Sequence, residues 1–129
     1  MSNHSSVGRL ELLKMLVEMS RPTTLLLEDL RSYGWDFDGR PFILSSNHVM
    51  NVIQRYLKGE IDSCEVEEWA NAVEGREDLE YESNHQDELS VVIYELANPY
   101  LTEPLTSVRA KALMGLLMGS PISRPGSSE

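Results

Sequence analysis

Hydrophobic residues recur along this chain in six clusters at three- and four-residue spacing, the pattern of helices that bury one stripe. Leu10, Leu13, Leu16 and Val17, interleaved with Glu11, Lys14 and Glu18, predict a first helix from about Ser6 to Met19, closed by Arg21-Pro22. Thr23 or Thr24 is positioned to cap a second, shorter helix in which Leu26, Leu27 and Leu30 share a face, ending near Tyr33-Gly34. The next stretch, Trp35 to Pro41, is dense in aromatics and turn formers and reads as an ordered loop with room for a short extended piece.

Ser45 or Ser46 is a suitable cap for a third helix carrying Val49, Val52, Ile53, Tyr56 and Leu57 inward, with Gly59 as its stop. Asp62, followed three residues later by Glu65, has the form of a capping box for a fourth helix, whose core stripe is Val66, Trp69, Ala70 and Val73 before Gly75. Around Leu79 to Ser83 the pattern turns extended. Leu89, Val92, Ile93 and Leu96 then mark a fifth helix that Asn98-Pro99 ends on steric grounds. Thr106 is placed to cap a sixth, with Val108, Ala112, Leu113, Leu116 and Leu117 turned inward and Gly119-Ser120-Pro121 stopping it. The expectation is an all-α fold: one bundle of five to six amphipathic helices over residues 1–118, an irregular aromatic and Asp-Gly loop near 34–44, and a mobile tail over 119–129.

Composition narrows the chemistry. The 129 residues suit one domain, and a hydrophobic fraction of 41% with 25% charged is that of a folding chain. Cys64 is the sole cysteine, which excludes an internal disulfide and any multi-cysteine zinc site and fits a reducing, cytoplasmic address. No run of eighteen apolar residues is present, and the start MSNHSSVGRLE lacks the basic-then-apolar order of an export signal, so neither a membrane span nor secretion is expected.

Charge changes the picture most. The net charge is −10, and the window from Glu60 to Glu88 holds twelve acidic residues against one base, Arg76, so the other hundred residues are close to neutral. An acidic surface of this kind repels nucleic acid and anionic lipid and attracts cationic protein surfaces. On a 100° helical wheel the fourth helix keeps Val66, Trp69, Ala70 and Val73 on its core side, with Glu67 and Glu74 on one flank and Glu65 and Glu68 on the other. The candidate partner-binding set is Glu65, Glu67, Glu68, Glu74, Glu77, Asp78, Glu80, Tyr81 and Glu82. Trp69 reads as core from its spacing, whereas Tyr81 is open between core and binding anchor. The plainer account of the acids is a solubilising surface. Against it stands segregation, because clustered like charges oppose folding unless a cationic partner compensates.

Other constellations read as ordinary structure. Placing Gly39 of Asp36-Phe37-Asp38-Gly39 at the sixth position of a calcium loop puts Gly34 first and Ser45 twelfth, where ligating oxygens are required, so the comparison fails and a turn is expected. His85 with Asp87 and Glu88, and His48 with Asn47 and Asn51, lack any metal or catalytic spacing. Cys64 lies in a first helical turn, where the dipole favours thiolate, but the carboxylates around it favour the neutral thiol. No glycine-rich phosphate loop, nucleophile elbow or basic cluster occurs. No cofactor, metal or enzymatic activity is expected.

The segments Leu57 to Ile61, Glu65 to Asn71, Arg76 to Asp78 and Glu95 to Pro99 resemble those of small acidic helical bacterial immunity proteins, of the contact-dependent growth inhibition and bacteriocin kinds. That resemblance spans about Ile43 to Thr106 and implies a cytoplasmic protein that binds one cognate toxin, commonly a nuclease with a basic cleft, and holds it inactive. Two readings from other classes stand beside it. One is an adaptor or regulatory subunit that binds through an apolar groove, with the acids serving solubility. The other is a small hydrolase with a convergent acid pair.

Overall fold

The computed structural model describes residues 5–31 and 41–118, with side chains from residue 9 onward. Six α-helices and two short strands follow one another: α1 Ser5–Glu18, α2 Thr23–Arg31, β1 Phe42–Leu44, α3 Ser46–Leu57, α4 Ser63–Val73, β2 Leu79–Tyr81, α5 Gln86–Ala97 and α6 Ser107–Met118. A single 3₁₀ turn, Ser83–His85, leads into α5. The mostly helical expectation therefore holds, with a small parallel sheet added. Much of the loop placed near 34–44, its Asp36–Gly39 turn, the Tyr33-Gly34 helix end and the tail from 119 lie outside the described residues.

Strand β1 pairs with β2 in parallel, Phe42 opposite Leu79 and Leu44 opposite Tyr81, so the pair is closed by the α3–α4 crossover that parallel strands require. The Phe42 N–H donates to the Asp78 carbonyl at 2.9 Å, and the Glu82 N–H to the Leu44 carbonyl at 3.0 Å. The all-α expectation missed this sheet because a three-residue strand holds barely one repeat of the two-residue alternation, too little to stand out from a loop, although the sequence from Leu79 reads as extended.

One apolar cluster joins all six helices. Trp69 is fully buried in it, and its indole N–H donates to the Leu16 carbonyl at 2.7 Å. That bond ties α4 to the C-terminal turn of α1. The same turn is capped from α3: Arg55 donates to the Met19 carbonyl at 2.7 Å, placing a cation where the helix dipole ends negative. Met19 itself adopts a left-handed φ of 54° to let the chain turn, a conformation glycine supplies at the ends of α3 (Gly59, φ 81°) and α4 (Gly75, φ 79°).

The caps follow the sequence except in α2, and the buried face differs in α6. Ser45 closes α3 in a reciprocal box whose return acceptor is His48 Nδ1, bonded to the Ser45 N–H at 2.9 Å. Asp62 and Glu65 form the expected box at the head of α4, each backbone N–H reaching the other's carboxylate at 2.9 Å. Thr106 accepts from the Arg109 N–H at 3.1 Å and so starts α6. In α2, however, Thr23 is already helical and its hydroxyl has no hydrogen-bond partner among the described residues, the first turn being closed by the Pro22 carbonyl. In α6 the buried stripe is Ala110, Leu113 and Leu117, while Val108 is 81% exposed and Ala112 and Leu116 also face outward. Apolar residues surround that helix, so its periodicity left two faces equally credible and packing against α3 and α5 chose between them.

Candidate functional site

Helix α4 is the ridge on which the acid block is displayed. Its core stripe of Val66, Trp69, Ala70 and Val73 is buried, which forces Cys64, Glu65, Glu68 and Asn71 outward and leaves Glu67 and Glu74 half-buried on the side toward α5. Beyond the helix, Glu77 is exposed in the turn and Glu80 is exposed on β2. Among the described residues none of Glu67, Glu68, Glu74, Glu77 or Glu80 has a basic side chain within ion-pairing distance.

Two members of the predicted set, Asp78 and Glu82, are engaged within the fold, and a third, Tyr81, is half-buried. Asp78 is buried at 5% exposure and accepts a two-pronged bond from Arg76, at 2.8 and 2.9 Å, with Arg9 at 3.5 Å behind it. Burial pushes its carboxyl upward, but the Arg76 bonds and the charges of Arg76 and Arg9 outweigh that and hold it below the usual carboxylate value. Asp78 thus has no free carboxylate to offer a partner. The Glu82 carboxylate accepts from the Ser46 N–H at 2.8 Å, an anion at the N-terminus of α3. Tyr81 is half-buried, and its hydroxyl is raised above the ordinary phenol value by burial and by the neighbouring Glu74 charge.

The two flanks of α4 differ. On the α2 side, Glu65 and Glu68 border a hollow that also holds Glu60, Arg21 and Arg55. Arg55 pairs with Glu60 at 3.3 Å, so this flank carries its own cations. On the α5 side, Glu67 enters a cavity of about 220 Å³ with Ser63, Cys64, Glu95, Leu96, Tyr100 and Glu103 on its walls. A second hollow of about 380 Å³ takes in Glu74, Val91, Tyr94 and Thr102. Glu95, 8% exposed, lines both and is held by Arg109 at 2.5 and 2.7 Å, and Glu103 shares the same guanidinium at 3.6 Å. The Glu95 bonds raise the Arg109 pKa further above its ordinary value.

Sequence reasoning did not single out Tyr94, Tyr100 or Glu103. A signal was available: Tyr100-Leu101 stands between Pro99 and Pro104, a connection too short and stiff to fold an apolar pair inward, and Tyr100 is 94% exposed. His85 is half-buried with Nδ1 unpartnered among the described residues, and no three His, Cys, Asp or Glu side chains among those residues converge as a metal site. No described helix is long and apolar enough to cross a membrane. No family model, curated protein or solved structure matches the chain.

Proposed function

We propose that this is a non-enzymatic cytoplasmic binding protein of the toxin-immunity kind, which neutralises a cationic protein, such as a nuclease toxin, by docking its acidic ridge against it. One observation carries the reading: Glu65, Glu67, Glu68, Glu74, Glu77 and Glu80 stand outward or half outward on one stretch of chain, and none of the six forms an ion pair among the described residues. Glu65 is half committed, since it returns a bond to its own cap. Like charges left uncompensated in the free protein raise the association rate with a basic partner and gain most from its arrival.

The test is kinetic. The complex is isolated from the protein's own cells, and its partner is then offered to the Glu67→Lys/Glu68→Lys/Glu74→Lys variant. The reading requires a basic partner, an on-rate that falls steeply with salt, and a loss of about tenfold or more in on-rate for the variant with helical circular dichroism unchanged. An on-rate equal to that of the unaltered protein rejects the acidic docking surface.

A second reading is favoured by a different observation. Val91, Tyr94 and Tyr100 are exposed on the walls of the α4–α5 hollows, and Leu101, next to Tyr100 in the chain, is exposed too, as an adaptor that binds through an apolar groove would need. Such a complex responds weakly to salt, which separates it from the first reading.

A further inference from the structure

Resting on the acidic-surface reading, we propose that the groove between α4 and α5 is where the partner seats, and that its occupant is an amphipathic helix carrying basic residues seven positions apart. Helices α4 and α5 run antiparallel here, since Ser63 and Cys64 lie beside Glu95 and Leu96 at one end while Glu74 lies beside Ser90 and Val91 at the other. The two hollows share Glu95 as a wall, and the proposed trough runs from one to the other past it.

Charge selects this flank over its opposite. At the Glu67 end the cavity walls carry three carboxylates, Glu67, Glu95 and Glu103, of which Glu95 and Glu103 share the one guanidinium of Arg109. The α2-side flank brings Arg21 and Arg55 to its own carboxylates and has less unbalanced charge to offer. Shape selects the kind of cation. Val66, Leu96, Pro99, Pro104 and Leu105 line the cavity below the carboxylates, so it suits a long aliphatic stem with a charged tip, as in lysine or arginine. Tyr94 and Tyr100, exposed along the same trough, are the aromatic anchors that such a helix would cover.

Spacing selects the helix. Glu67 and Glu74 are seven residues apart on one flank of α4, about 10 Å along its axis at the rise of an α-helix. A partner helix lying in the trough repeats that separation between residues seven apart, with apolar residues between them meeting the tyrosines.

Two labelled peptides of equal charge test this by fluorescence anisotropy and by amide chemical-shift mapping on the full chain: a helical Lys/Leu peptide with lysines at seven-residue spacing, and a Lys/Gly/Ser peptide without apolar residues. The Lys/Leu peptide should bind about tenfold or more tightly than the polar one, with shifts at Glu67, Glu74, Tyr94 and Tyr100. Tyr94→Ala and Tyr100→Ala should each weaken it by about tenfold, and Glu65→Gln/Glu68→Gln by less than about twofold. Equal affinity for both peptides, with the loss in the Glu65→Gln/Glu68→Gln variant, overturns the groove while leaving the acidic surface standing. Binding of the Lys/Leu peptide untouched by either tyrosine change also overturns the groove. Failure of both peptides to bind overturns the groove and the acidic surface together.

Discussion

Asp78 and Glu68 are both acidic residues of the same block, ten positions apart, and the fold uses them in opposite ways. Asp78 is turned inward between Arg9 and Arg76, and its charge holds the α1 side chains to the start of β2. Glu68 stands on the outer ridge of α4 and forms no ion pair among the described residues. A carboxylate taken out of water must be paired to stay ionised, whereas one left in water costs nothing alone and acts only through the field it adds to its neighbours. The inward carboxylates, Asp78 and Glu95, therefore carry stability, and the outward ones that close no helix cap are free to serve recognition.

The sharpest way to break that contrast is Asp78→Ala, which strands two arginines at a site where the carboxylate is 7% and Arg9 10% exposed. It should cost about 3 kcal/mol in urea unfolding. The sign of its pH dependence follows from the lowered pKa. Asp78 contributes stability that is present above its ordinary value of 3.8 and is lost as pH falls through the lower folded value, so acid unfolding should flatten in Asp78→Asn. Glu95→Ala comes next at about 2 kcal/mol, smaller because Arg109 keeps a third of its side chain in solvent and can turn to water.

Asp62→Ala, an outward acid with a structural duty, should cost about 1 kcal/mol through the loss of the α4 cap. Around α3 the expected effect appears in pH. Burial lowers the His48 pKa below 6.5, although Glu18 and Glu82 pull it up, and Nδ1 must stay unprotonated to accept from the Ser45 N–H. Its contribution is thus present above pH 6.5 and declines as pH falls through the folded value. His48→Gln should remove that step from a pH series of thermal unfolding. The smallest change belongs to the ridge: Glu68→Gln, Glu77→Gln and Glu80→Gln should each shift stability by less than about 0.5 kcal/mol, and the three together should raise it slightly at low salt by relieving repulsion. A loss above 1 kcal/mol in any of the three would erase the distinction between the two groups of acids.

Periodicity and caps made the helices legible because both are local. The i, i+3, i+4 stripes of α3, α4 and α5, the Asp62–Glu65 box and the stops at Gly59 and Gly75 depend only on residues within one or two turns. The α6 face was misjudged because its two apolar sides are alike in sequence. The block of acids was likewise plain, but which acids face water was not. Asp78 and Glu82 look like their neighbours until Arg9, more than sixty positions away, and Ser46 are brought beside them.

Sequence alone determined the helical segments, the caps at Ser45, Asp62 and Thr106, the burial of Trp69 and the concentration of negative charge, since each follows from the chemistry of adjacent residues. Tertiary structure decided the parallel pairing of β1 with β2, the inward assignment of Asp78 and Glu95 to their arginines, and the two hollows that set Glu67 with Tyr100 and Glu74 with Tyr94. Those are relations between residues distant in the chain, fixed only when the shared apolar core brings their helices and strands together.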